Sequence, residues 1–147
     1  MEIAQVVRDS WGWTGIEPAK VVAENEFGNL LVRDKAGHYW RLCPEDLYCK
    51  VVAGSRSELD RLLKDPEFVS DWCMDGLVQE AIDLLGPLDG GRKYCLKIPG
   101  VLGGTYGGEN LATIPLVELI SASGSIAEQI KDLPDGAQIR LDVGERA

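Results

Sequence analysis

Several groupings of residues in this chain have the types and spacing from which chemistry could be built. Glycines crowd the stretch Gly100-Val101-Leu102-Gly103-Gly104-Thr105-Tyr106-Gly107-Gly108-Glu109-Asn110. A phosphate-cradling loop needs Gly-Lys-Ser/Thr opening a helix, and this stretch contains no lysine. A dinucleotide fingerprint needs a strand–helix–strand unit, which the flanking pattern does not supply. Two readings remain. One is an irregular loop whose glycines permit positive φ and close backbone approach; the other is a loop that contacts a ligand or partner, with Tyr106 and Glu109 as its contact residues.

The other candidate chemistries are weaker. His38 is the sole histidine, and a serine or cysteine triad would need it together with an orienting acid. No Gly-x-Ser-x-Gly elbow brings it company, so it reads as an exposed strand residue beside a hairpin turn. Glu45-Asp46 could share acid–base work as paired carboxylates do in glycosidases, but directly after Pro44 the pair reads more simply as a turn. Cys43, Cys49, Cys73 and Cys95 contain no Cys-x-x-Cys, and one histidine cannot complete a zinc set. With no export signal they read as buried free thiols. The expectation is therefore no catalytic residue, no metal and no cofactor.

Charge is more informative. The chain of 147 residues carries a net −9. Between Glu58 and Asp89 lie nine acidic residues against two basic ones, Arg61 and Lys64, so most of the excess sits there. Such a field repels phosphate backbones and favours basic partners, which disfavours direct nucleic-acid binding. Within this segment positions 67, 71, 75, 79 and 83 are Glu, Asp, Asp, Gln and Asp, whereas 69, 73, 77, 81 and 85 are Val, Cys, Leu, Ala and Leu. On one helix a two-residue offset is about 200°, so the two bands would lie nearly opposite each other. Like charges at i,i+4 repel. Either the band is a solvated face, with Glu67 favoured by the helix dipole, or Glu67, Asp71, Asp75 and Asp83 await a basic partner.

Elements must position these groups. Residues 2–9 suit a short helix with Ile3, Val6 and Val7 on one side. From Lys20 to Ala53, β-branched and aromatic runs predict strands near 20–25, 29–34, 38–43 and 48–53. The breaks between them are too short for crossover helices, so an antiparallel meander is expected. Ser55-Arg56-Ser57-Glu58 has capping-box spacing. Asp65-Pro66 opens a second helix, read as continuous from Pro66 to Leu85, with a kink or close contact at Gly76. A strand at 92–98, the glycine loop, a helix at 115–131 and a closing strand at 138–143 complete the reading. Trp11, Trp13, Trp40 and Trp72 are expected mostly in the core, with Trp11 and Trp13 the two more suited to line a surface. The fold class is α+β, an antiparallel meander with helices packed on it, in a single domain over 1–147. No run approaches a membrane span and the start lacks a secretory pattern, so a cytoplasmic protein is expected.

The stretches Lys97-Ile98-Pro99-Gly100-Val101-Leu102-Gly103-Gly104-Thr105-Tyr106, Glu109-Asn110-Leu111 and Ile126-Ala127-Glu128-Gln129-Ile130-Lys131-Asp132-Leu133-Pro134-Asp135-Gly136 add a resemblance. So do Phe27-Gly28-Asn29 and Tyr39-Trp40-Arg41-Leu42-Cys43-Pro44-Glu45. Together they resemble the C-terminal domain of immunity proteins that protect bacteria from type VI-secreted DNase toxins, a domain formerly of unknown function. The resemblance implies a cytoplasmic antitoxin that holds a cognate effector toxin inactive by direct contact. It implies no catalytic residues. Glu67, Asp71, Asp75, Asp83, Trp13, Tyr106 and Glu109 are the expected partner-binding residues. The rival readings are a small-ligand or nucleotide-binding regulatory domain using loop 100–110 and, more remotely, a carboxylate hydrolase.

Overall fold

Near-continuous apolar and aromatic runs in the first half of the chain, such as Leu30-Leu31-Val32, build a sheet that is covered on both faces. In the computed structural model, which describes residues 2–133, four strands pair in sequence order, each antiparallel to the next. They are β1 (Pro18–Glu24), β2 (Leu30–Asp34), β3 (Tyr39–Cys43) and β4 (Tyr48–Ala53). The expected meander and the α+β class are both present. Leu30 and Val32 of β2 enter one core cluster and Leu31 another, because neighbouring side chains project to opposite faces.

The first face is closed by α1 (Ile3–Trp11) and α5 (Leu116–Ile130), through Val6, Val7, Trp11, Leu116, Ile120 and Ala127. Trp11 is fully buried and donates from Nε1 to the Ile120 carbonyl at 3.1 Å. That corrects the expectation that Trp11 lines a surface: a ring of this size gains more by joining the two helices. Trp13 stacks on it, ring centroids 5.8 Å apart, and is half-buried with the Lys131 ammonium 5.3 Å from its own centroid. The two helices approach so closely that a Cβ on Gly124 would collide with the Ser10 carbonyl.

The second face is closed by α2 (Arg56–Leu62) and α3 (Pro66–Cys73), with Leu59, Phe68 and Trp72 against Leu31, Tyr39 and Ala53. Ser55 Oγ accepts from the Glu58 amide at 3.2 Å, as its spacing predicts. Glu58 returns its carboxylate to the amide of Gly54 rather than to that of Ser55. Asp65 caps α3 through the Glu67 amide at 3.0 Å, with Pro66 following.

Residues 66–85 do not form the single helix that the pattern predicts. Met74, at φ 49°, ends α3, and α4 (Asp75–Leu85) begins directly after it. Two separate cores explain the break. Phe68 and Trp72 pack with Leu31 and Tyr39, whereas Met74, Leu77, Val78 and Ala81 pack with Phe27, Tyr94, Leu96 and Leu111. One straight axis cannot serve both. The apolar band is corrected at its ends, since Val69 and Leu85 are exposed. Gly76 makes no close contact, and the chain turns two residues before it.

A second, two-stranded sheet pairs β5 (Arg92–Leu96) with β6 (Leu111–Pro115). Strand β6 was not expected. It ends in proline and lacks clean alternation, which hides it among the loop residues before it. The cysteines are free, with Cys43, Cys49 and Cys95 buried and Cys73 half-buried. No described helix is long and apolar enough to cross a membrane. The expected strand at 138–143 lies outside the described residues.

These contacts make opposite predictions for two helical glycines. Gly124→Ala should cost about 1–3 kcal/mol of stability by overpacking α1 against α5. Gly76→Ala, which meets open space, should gain roughly 0.5–1 kcal/mol. Urea unfolding of the two variants checks both signs.

Candidate functional site

Arg41 lies on the same face of β3 as Tyr39, two residues away, and so turns toward α3. It is only 3% exposed. Its guanidinium sits 5.7 Å from the Phe68 ring centroid and 5.3 Å from that of Trp72. Nε donates to Asn29 Oδ1 at 3.0 Å and Nη1 to Asp71 Oδ2 at 2.5 Å. Burial alone would depress this group, but the hydrogen bond to Asp71 and the neighbouring Tyr48, Cys43 and Asp71 charges together outweigh it and its pKa is raised. The fully buried Asn29 in turn donates from Nδ2 to Glu45 Oε1 at 2.8 Å. Asn25 closes the turn between β1 and β2 by accepting from the amides of Phe27 and Asn29, and donates to the Trp72 carbonyl at 2.8 Å. One polar chain thus joins the sheet to α3.

Three segments meet over this chain and enclose a pocket of about 340 Å³, lined by Arg41, Glu45, Asp46, Asp71, Met74, Leu77, Glu80 and Tyr106. The β3–β4 turn supplies Glu45 and Asp46, and is tightened by Leu47 at φ 54°. The α3–α4 junction supplies Asp71 through Glu80. The glycine loop supplies Tyr106, whose hydroxyl donates to Asp46.

The loop is held from inside. The Gly100 amide donates to the Glu45 carbonyl at 2.8 Å, and the Gly108 amide to Glu80 Oε2 at 2.7 Å. Asn110 accepts from the Ile98 amide and donates to the carbonyls of Ile98 and Thr105. A Cβ on Gly100 would strike the Tyr106 ring, and one on Gly107 would strike the Glu80 carboxylate. These glycines therefore make room for two pocket side chains. Outside, the same loop leaves Ile98 and Val101 exposed at 54% and 60%.

Burial sets the chemistry of the titratable groups here. Burial, then Glu45 and Asp46, push the Cys43 thiol far up, so it is a poor nucleophile. Burial also raises the Glu45 carboxyl, although its backbone amide and Asn29 oppose this. Cys43, Glu45 and Asp46 can bring one ligand atom each within 4.8 Å of one another. A metal requires those groups deprotonated, and burial works against two of the three. His38 is elsewhere, 3.5 Å from Asp34 at the β2–β3 turn.

Of the residues expected from sequence, the pocket brings together Asp71 and Tyr106. Glu67, Asp75, Asp83, Trp13 and Glu109 are not among its lining. The single acidic band is corrected in two respects. The break at Met74 divides it, and Asp71 is paired with a cation from β3 instead of standing free. Asp83 accepts from Gln79 at 3.0 Å. Sequence reasoning missed Arg41, Asn29 and Glu80, and set Glu45-Asp46 aside as a turn, which it also is. The signal available was a charged residue at an inward position of a strand between Tyr39 and Cys43.

Two expectations follow from this geometry. Asp71→Lys should lower stability by about 1–3 kcal/mol, because it leaves a buried guanidinium facing a like charge, discounted for the exposure of Asp71 itself; chemical unfolding measures it. Glu45 has the opposite sign. With its folded pKa raised above 4.5, the folded state holds its proton more tightly, so its stabilisation is full below that value and is lost as pH rises through the folded pKa. Glu45→Gln should therefore unfold at a higher temperature than the parent at pH 7, with the advantage vanishing by pH 4.

The family described as "T6SS immunity protein Tdi1, C-terminal" matches residues 53–127, from the end of β4 into α5. Comparison with curated proteins finds no match. The matched stretch holds α3, α4, the glycine loop and the β5–β6 pair, which supply Asp71, Met74, Leu77, Glu80 and Tyr106, while Arg41, Glu45 and Asp46 come from the strands before it. The chain belongs to this family of type VI secretion immunity proteins.

Proposed function

We propose that this protein binds one cognate type VI-secreted effector toxin and neutralises it by direct occlusion, inside the cell that makes both. Membership of the immunity family supports the role. The observation that carries the mode of action is the glycine loop. Its amides at Gly100, Leu102, Gly103, Gly104, Gly108 and Asn110 are spent on internal acceptors, while Ile98, Val101 and part of the Tyr106 ring stay exposed. A loop ordered before it meets its partner loses little entropy on binding, and exposed apolar and aromatic side chains are what such interfaces bury. The same accounting weakens the nucleotide-binding alternative, because phosphate cradles need free amides.

The acidic balance of the chain adds that the effector presents a basic surface there. Neutralisation of this kind requires no cofactor and no chemistry by the immunity protein.

Co-expression tests this reading. The effector encoded beside this chain should arrest growth of a heterologous host alone, and growth should recover when this protein is made with it. Continued arrest with the soluble protein present at equal abundance would overturn the proposal.

A further inference from the structure

Among the carboxylates around the pocket, Glu45 stands apart. It is 5% exposed, lines the cavity and is served by uncharged donors, its own backbone amide, Asn29 and the Cys43 thiol. It takes part in none of the ion pairs among the described residues. Buried charges are ordinarily paired, so a carboxylate left this way beside an open cavity points to a cation that arrives from outside. Arg41, a cation of the same cavity, makes its ion pair with Asp71 and reaches Glu45 only through Asn29, so four carboxylates, Glu45, Asp46, Asp71 and Glu80, face one guanidinium.

The rest of the cavity has matching character. Among the described residues, Asp46 and Glu80 are engaged by uncharged donors, the Tyr106 hydroxyl with the Cys43 thiol and the Gly108 amide respectively. Met74 and Leu77 give half-buried apolar wall, and Tyr106 gives a half-exposed aromatic rim. Acidic groups around an apolar wall with a ring at the mouth suit a long side chain that has an apolar stem and a charged end. We propose that this cavity receives an arginine side chain of the protein partner, whose guanidinium supplies the cation that Glu45, Asp46 and Glu80 lack. Arginine fits better than lysine because its planar fork can donate to several carboxylates at once and stack on Tyr106. A protein source, rather than a free small cation, is favoured by Ile98 and Val101, which stand exposed on the loop that carries Tyr106. This inference rests on the immunity reading and names the feature of the effector that is recognised.

Its test has two arms. In the first, the full chain is titrated with N-acetyl-arginine methylamide and followed by amide nuclear magnetic resonance. Saturable shifts are expected at Asp46, Leu77 and Tyr106, absent with the uncharged citrulline analogue and lost in Glu45→Gln and Glu80→Gln. Equal shifts from citrulline, equal binding of the lysine analogue, or no shifts at these residues would overturn the assignment. In the second arm, affinity for the purified effector is compared between the parent and Glu45→Gln. A loss of about tenfold or more is expected on removing one buried charge partner, in a variant whose thermal stability is not reduced. Unchanged affinity in Glu45→Gln would sink the arginine cavity and leave the immunity reading standing. Absence of any binding by the parent would sink the immunity reading, and the arginine titration would still decide the cavity.

Discussion

A guanidinium buried against a stacked pair of aromatic rings is the constraint on which the rest of this structure depends. Arg41 cannot be left in the interior uncompensated, so the chain must bring it an amide oxygen from the β1–β2 turn and a carboxylate from α3. Those two demands fix where α3 lies on the sheet and in which direction its aromatic residues point. Asn29, held by Asn25 and by Arg41, then carries the order onward to Glu45 in the β3–β4 turn. The pocket is what remains above this network once α4 has left along its own axis to cover a second core.

Binding and stability pull in different directions at this place. The structure keeps an acid below the surface without a cation and bends a helix at a residue other than glycine, each at some cost in free energy. It also spends much of a glycine-rich segment on tight contacts with Tyr106 and Glu80 instead of on a simpler turn. Costs of this kind concentrate where a protein meets something else. The pocket lining is acidic, with Glu45, Asp46, Asp71 and Glu80 around Arg41.

The local elements were legible in the amino-acid sequence because their signals are local. Strands β1 to β4 are short β-branched and aromatic runs between turn residues, Ser55 and Asp65 announce helix starts, and Leu116 to Ile130 keeps a helical stripe. The site was legible only in part. Tyr106 stood out as the aromatic residue of a glycine loop and Asp71 as an acid on a helix, but nothing local says that Asp71 reaches a cation 30 residues upstream. The break at Met74 was hidden for a related reason: Pro66 to Leu85 is continuous helix by propensity, and only the competition between two cores divides it. Strand β6 was missed because its pairing partner, β5, lies beyond an irregular loop. Glu45 and Asp46 look like any turn, and their burial depends on a loop more than fifty residues away in sequence.

The central claim is that the partner is engaged through the glycine loop and the pocket behind it. Hydrogen–deuterium exchange of this protein with and without its effector tests that most directly. Slowed exchange concentrated in residues 98–108 and 71–80 is the predicted result. Protection confined to the opposite side of the sheet, on α1 and α5, with these two segments unchanged, would contradict it.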